Sequence, residues 1–321
     1  MDEETDHGYN HVGGCLEIDG SSGEGGGQIL RNSTALAAIT GGSVRITKIR
    51  ANRPKGGGLR PQHLCGIELI RDLCCGDLTG GSIGSTEVTL SPGDGRLKTA
   101  TANTGTAGSC TLLAQTAVPL LLMTPGRSSI ELIGGTDVPF SPPADYLRHV
   151  LRPLLVELLN VKIAIEMPRR GFMPRGGGCI QIAVEGLEAE QQLPAFSLKE
   201  RGELKSIEIR AFYAGRLSRE VAERMIRGAD ERIQAALGQE CGKLLADAQI
   251  DEVENSHADA CGILVVAHTT TGCRLGGSAL GEKKLRAEVV GANAALEMLR
   301  ILDSGACVDE HMQVSNTRPN P

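Results

Sequence analysis

The chain has 321 residues, 40% of them hydrophobic but only 2% aromatic, with four Phe, three Tyr and no Trp. That size allows one large domain with an insertion, or two domains, built on a core of Leu, Ile, Val and Ala. So few rings exclude serial base stacking as a binding mode, and a net charge of −6 excludes the coating of a nucleic-acid backbone, leaving only a local grip on a polyanion.

In chain order, the acidic, polar start reads as a disordered tail over residues 1–12 and not as a signal peptide. A short strand is predicted at Cys15–Ile18, then a Gly-rich turn over 20–27 and a helix over Gln28–Ile39, stopped by Gly41 and Gly42. Ser43–Ile49 alternates as a strand, and Pro61 opens a helix that runs to Cys75. Strands follow at Glu87–Leu90 and Ser129–Ile133, with a buried helix over Ala107–Met123 between them. That apolar run is too short to cross a bilayer and contains Gln115 and Pro119, so no membrane partner is expected. Asp145–Leu159 is an amphipathic helix, with strands at Val161–Ile165 and Cys179–Val184.

From about residue 198 the texture changes. A strand is predicted at Leu204–Phe212, a long charged helix from Ser218 to near Leu245, a buried strand at Gly262–Ala267 and a helix over Glu288–Leu302. The α/β alternation with many short strands suggests a large domain over 13–197 and 287–313, with a separate small α/β domain over 198–286. The segment from Arg53 to Gly58 (Arg-Pro-Lys-Gly-Gly-Gly) returns from Met173 to Gly178 (Met-Pro-Arg-Gly-Gly-Gly), which hints at a repeated βαβ-type unit. The ten cysteines show no CxxC pair and no metal spacing, as expected of reduced thiols.

Three stretches could carry chemistry. The turn from Gly20 to Gln28 lets a ligand approach the backbone at a helix N-terminus, or is simply a tight strand-to-helix turn; it fails the dinucleotide fingerprint because Gln28 stands where glycine is required. From Arg45 to Arg60 there are six basic residues and no acid, with Gly56, Gly57 and Gly58 among them, a composition suited to phosphate. Arg31, one helical turn past the glycines, could join that pocket, and Glu24 could tune an arginine or hold a metal. Arg169, Arg170 and Arg175 form a weaker version of the same pattern, or a hairpin turn with exposed arginines. Among seven histidines none has metal spacing. His149 and His268 read as structural. His63 reads as a helix-capping residue or a phosphate neighbour, and His311 as exposed.

Taken together, several strings resemble the RNA 3'-terminal phosphate cyclase family. They are Glu17 to Gly20, Glu24 to Arg31, Lys48 to Arg53, Gly58 to His63, Ile83 to Val88, Thr106 to Ser109, Gly134 to Asp137, Pro174 to Gly178, Thr271 to Cys273 and Val308 to His311. They match its true cyclase branch in order, from about residue 14 to 313. The resemblance implies a large domain of repeated βαβ-containing units similar to enolpyruvyl transferases, with an inserted small thioredoxin-like α/β domain. It implies an enzyme that converts an RNA 3'-terminal phosphate to a 2',3'-cyclic phosphodiester with ATP, through enzyme–AMP and RNA–adenylate intermediates, aided by Mg or Mn. Carried over by residue, Gln115, Pro142 and His311 would line the ATP pocket. Glu24, Arg31, Arg50, Arg53 and Gln62 would surround phosphates and the RNA end. The nucleophilic histidine of the family falls beyond Pro321, so no catalytic residue is assigned, and 314–321 read as a non-family tail. An alternative is therefore a catalytically impaired protein that binds RNA 3'-phosphate ends. The expected location is the nucleoplasm for a eukaryotic source and the cytoplasm otherwise.

Overall fold

The computed structural model describes residues 9–12, 14–23, 25–53, 56–188, 190–238, 244–254 and 256–313. The first unit contains β1 (Tyr9–Val12), β2 (Cys15–Asp19), α1 (Gly27–Thr40), β3 (Ser43–Thr47), α2 (Pro61–Leu73), β4 (Asp77–Thr79) and β5 (Val88–Ser91), in the sheet order β1-β2-β3-β5-β4. Gly41 ends α1 in the left-handed region at φ 75° and returns its N–H to the Ala37 carbonyl. Pro61 opens α2, where its missing N–H costs nothing. Tyr9–Val12, expected within a disordered tail, pairs antiparallel with β2.

The second unit contains β6 (Thr99–Asn103), α3 (Cys110–Leu122), β7 (Gly126–Gly134), α4 (Ala144–Tyr146), a π-helical turn at Leu147–Leu151, α5 (Arg152–Leu159), β8 (Lys162–Arg169) and β9 (Gly178–Gly186). Its sheet runs β6-β7-β9-β8. This repeats the first unit's β2-β3-β5-β4: a parallel pair joined by a helix, then an antiparallel pair. The repeat suggested by the sequence therefore exists, but the Pro-basic-Gly-Gly-Gly echo does not lie at equivalent places in it. One copy connects β3 to α2 and the other connects β8 to β9. Helices α1, α2 and α3 pack on one another between the two sheets, around a core that includes Leu30, Ile70, Leu113, Leu121 and Ile180.

The third unit contains β10 (Leu204–Ala214), α6 (Arg219–Leu237), β11 (Leu245–Val253), β12 (Ala260–Thr269), β13 (Arg274–Leu280) and α7 (Ala287–Asp303), with sheet order β11-β10-β12-β13. The long charged helix ends at Leu237, not near Leu245. Gly238 adopts φ 71°, and the chain returns as β11, a polar edge strand parallel to β10. Helix α7, placed by sequence on the other side of a boundary at 286, packs on α6 and on β13 in the third unit's own core. Strand β13 was not foreseen because Gly276 and Gly277 interrupt its pattern. A Cβ at Gly276 would stand 2.9 Å from the Tyr146 ring and one at Gly277 2.3 Å from the Ala294 carbonyl, so close packing demands both glycines. A short α8 (Glu310–Gln313) follows, and 314–321 lie outside the described residues.

Strand β12 is covered on both faces. Ile263, Val265 and Ala267 face α6 and α7, while Leu264 and Val266 pack on Tyr146, Val150 and Leu154 of the second unit. His149 and His268 act structurally at this junction, flanking Glu208 at 3.0 and 3.2 Å. Their hydrogen bonds hold the Glu208 carboxyl far below its ordinary range. The nine described cysteines are free thiols, and no helix among the described residues is long and apolar enough to cross a membrane.

Candidate functional site

The turn from β2 leads directly into the N-terminus of α1. Gly25 is left-handed at φ 55°, the N-cap Gly26 supplies no side-chain cap, and the first turn of α1 carries no acid. The helix dipole there favours an anion. Arg31 follows one turn later, half-buried, and burial draws its guanidinium down to about 10. No hydrogen bond or ion pair holds its side chain among the described residues.

Opposite stands the start of α2. The Arg60 backbone N–H donates to His63 Nδ1 at 3.2 Å, so the capping role read from sequence is present. That bond assigns the proton of the neutral ring to Nε2. The Nε2 edge abuts Gly27, where a Cβ would stand 2.8 Å from Nε2 and 3.2 Å from Arg31 Nη1. Burial first, then the charges of Arg50, Arg31, Arg60 and Arg53, pull His63 down to about 4. Four guanidinium groups thus act on one imidazole in an acidic protein. The crevice between α1, α2 and α3, lined by Gly27, Arg31, Thr34, Gln62 and His63, is about 10 Å³, room for one water-sized atom.

This state of His63 is measurable. Because its folded value lies below the unfolded 6.5, the unfolded chain takes the proton first as pH falls. The stabilisation, about 3 kcal/mol, is complete above pH 6.5 and is lost as pH falls through 4. Histidine NMR titration should find His63 neutral to near pH 4 in the free protein, and inorganic phosphate should raise its pKa by offsetting the arginine charge. An ordinary value indifferent to phosphate would show that the cluster is not an anion site.

The basic stretch divides. Arg45 pairs with Glu17 and Glu87, and Lys48 with Asp19, on the exposed side of the sheet. Arg50 instead turns inward and donates from Nη1 to the carbonyls of Gly56 and Gly58 at 3.4 and 3.2 Å. Gly58 cannot be replaced freely, because at φ 81° its Cβ would meet the Gly84 carbonyl oxygen at 2.2 Å. Glu24 and Lys55 lie outside the described residues.

From this cluster a chain of hydrogen bonds leads to a second space. Gln62 Oε1 accepts the Ser109 N–H at 2.8 Å, Ser109 Oγ meets Thr111 Oγ1 at 2.7 Å, and Thr111 Oγ1 donates to the Pro142 carbonyl at 2.8 Å. Gln115 lies one turn after Thr111 on the same face of α3. Its Oε1 is buried with no hydrogen-bond partner, a state that costs about 1–3 kcal/mol and that a ligand N–H would relieve. The neighbours of Pro142, Ser141 and Pro143, line a cavity of about 420 Å³ together with His311, within the size range of small-ligand sites. His311 meets Tyr146 edge-on at 4.9 Å and 83°. Asp309 fixes this arrangement, accepting from the Tyr146 hydroxyl at 2.5 Å and from the Gly276 N–H at 2.9 Å.

Sequence reasoning thus named Arg31, Arg50, Arg53 and Gln62, which fall at one cluster, and Pro142, His311 and Gln115, of which His311 lines the adjoining space, Pro142 sits between two residues that line it, and Gln115 is not part of its lining. It missed the Ser109–Thr111 link and Asp309, whose signal is burial and not spacing. The third basic pattern resolves differently. Arg170 is buried, bonded to Asp137 at 3.3 Å and Asp145 at 2.7 Å, and lies over the Phe212 ring at 4.3 Å. Burial alone would lower its pKa, but the carboxylates outweigh that and hold it above its ordinary value. Arg169 and Arg175 line a wider cleft of about 1180 Å³, whose other wall holds Asp251, Glu252 and Glu254. Facing charges of both signs suit a polyanion poorly.

The family model for RNA 3'-terminal phosphate cyclase matches residues 22–317. RNA 3'-terminal phosphate cyclase of Thermococcus kodakarensis is 43% identical over 298 residues, covering 92% of this chain and 82% of that protein. Those of Pyrococcus abyssi and Staphylothermus marinus are 43% identical over 298 residues and 42% over 297, each covering 92% of this chain and 83% and 82% of the relatives. A match of that extent at that identity makes this chain a member of the RNA 3'-terminal phosphate cyclase family.

Proposed function

We propose that the chain uses ATP to convert an RNA 3'-terminal phosphate into a 2',3'-cyclic phosphodiester. The observation that carries this reading is the convergence of Arg31, Arg50, Arg53 and Arg60 on a neutral His63 beside the uncapped start of α1, one hydrogen-bonded chain away from a nucleoside-sized cavity. Three displacements make up the proposed sequence. An imidazole nitrogen, of a histidine that the family-like strings of this chain do not include, attacks the α-phosphorus of ATP and pyrophosphate leaves. An oxygen of the RNA 3'-phosphate then attacks that phosphorus and the imidazole leaves. Last, the 2'-hydroxyl attacks the 3'-phosphate, its proton passes to solvent and AMP departs. Dividing the reaction makes each displacement easier.

The described residues bind and orient. Arginine forks offset charge gathering on phosphate oxygens. His63, with Nδ1 engaged and the proton on Nε2, acts as a neutral donor and not as the attacking group. Gln115 Oε1 is buried without a hydrogen-bond partner and would accept a ligand N–H that reached it, while His311 and the turn around Pro142 bound the space for the base. A Mg or Mn ion would neutralise phosphate charge. Among the described residues no group of three or more His, Cys, Asp or Glu is placed to hold one, which fits an ion carried chiefly by phosphate oxygens and water.

The test uses the full chain with ATP, Mg and short RNAs. RNA ending in 3'-phosphate should acquire a phosphatase-resistant cyclic end only when ATP is present, and the protein should gain one adenylyl group by intact mass. Failure to form the cyclic end would refute the activity. Cyclisation without an adduct would refute the covalent route.

A further inference from the structure

Phe140 is 102% exposed in a chain with only four phenylalanines. Its backbone is left-handed, φ 64°, a conformation costly for any residue with a Cβ and rare for a bulky one. The surrounding turn is firmly held: Val138 is buried, Ser141 Oγ donates to the Val138 carbonyl at 3.0 Å, and the Pro142 carbonyl is bound by Thr111. Flanking prolines at 139, 142 and 143 restrict the backbone further. The turn thus keeps a large apolar ring in water at a fixed place, and no packing among the described residues uses it.

That place is the 420 Å³ cavity beside His311, which is also lined by Phe172 and Phe212. Three of the chain's four phenylalanines therefore gather at one cavity. Two of them are occupied: Phe172 and Phe212 stack at 5.5 Å and 18°, with Arg170 over Phe212. Phe140 alone among the three has an open face. A planar ligand that covers such a ring recovers the apolar area and adds stacking attraction.

We infer that Phe140 is the stacking platform for the base of the RNA's 3'-terminal nucleotide. This rests on the function proposed above, in which the part of the cavity beside His311 holds adenosine. A fully exposed ring at the rim is then left for the base that arrives from solvent with the 3'-phosphate. Stacking on one ring face is tolerant of base identity, so the platform grips any 3' end without reading sequence.

The absence of Trp provides a clean probe. In Phe140→Trp the single indole should be quenched by a short RNA ending in 3'-phosphate and not by AMP. Phe140→Ala should bind that RNA about 5- to 100-fold more weakly than the unsubstituted protein. Against the same RNA made abasic at its last position, the two proteins should bind equally. Equal weakening for the intact and abasic RNAs would overturn the inference, because the ring would then not be meeting the base. Quenching by AMP alone, with no further change on adding RNA, would assign the ring to the mononucleotide and overturn it too. Unimpaired RNA binding by Phe140→Ala sinks this inference and leaves the proposed function standing. If neither AMP nor RNA binds the unsubstituted chain, both fall.

Discussion

Replacing Arg31 with methionine is expected to lower kcat/KM for 3'-phosphorylated RNA by about 10²- to 10³-fold, while the melting temperature holds or rises. Methionine keeps the stem's packing and removes only the charge. In the free protein that charge is desolvated and has no partner among the described residues, so its burial is a cost to the fold. A bound anion offsets it, and the offset is greatest when phosphate charge peaks in the transition state. Steady-state kinetics on phosphorylated ends, alongside thermal denaturation of the free protein, check both halves. A variant that loses stability and keeps its activity would show that Arg31 serves the fold and not the phosphate.

A loss of about 3 kcal/mol in unfolding free energy is expected for Gly291→Ala, at the upper end for overpacking. Helices α6 and α7 approach until their backbones touch. A Cβ at Gly291 would lie 1.8 Å from the Met225 carbonyl oxygen, and one at Gly228 would lie 2.0 Å from that of Glu288. Neither neighbour is a flexible side-chain tip, so the helices must separate. Separation also strains the paired hydrogen bonds from Arg224 to Glu288, 2.8 and 2.9 Å, and loosens the packing of Ala229, Ala294 and Met298. Urea unfolding measures it, with Asn293→Ala on the exposed face of the same helix as the control. Equal stability of the two variants would mean that the helices are not in such close contact.

Much of the fold was legible where one local signal fixed one element. Gly41 and Pro61 bounded α1 and α2, and the apolar stripe from Leu147 to Leu158 marked the helical segment that crosses to the third unit. Strands β4, β6 and β13 were not legible, because they are short, small-residued or glycine-bearing, and tertiary pairing alone holds them extended. The extent of α6 was overread: Leu245–Val253 carries helix-compatible residues, but as an edge strand its polar positions face solvent. At the site, a count of basic residues could not separate Arg45 and Lys48, which are spent on surface pairs, from Arg50, Arg53 and Arg60, which act on His63. That distinction depends on which way the chain turns after β3. Gln115 and His311 came from resemblance to the family, since neither periodicity nor spacing marks them, and Phe140 was visible only once its exposure was known.

Strand β12 has a consequence for how the molecule comes apart. Leu264 and Val266 are as deeply covered by Tyr146, Val150 and Leu154 as its other face is by α6 and α7. Separating the third unit would strip an apolar strip from both sides of the junction and leave Asp309 without the Tyr146 hydroxyl. The unit is a separate span of sequence but not a separate thermodynamic body. Calorimetry should therefore show one cooperative transition for the whole chain, where a loosely tethered pair of domains would give two.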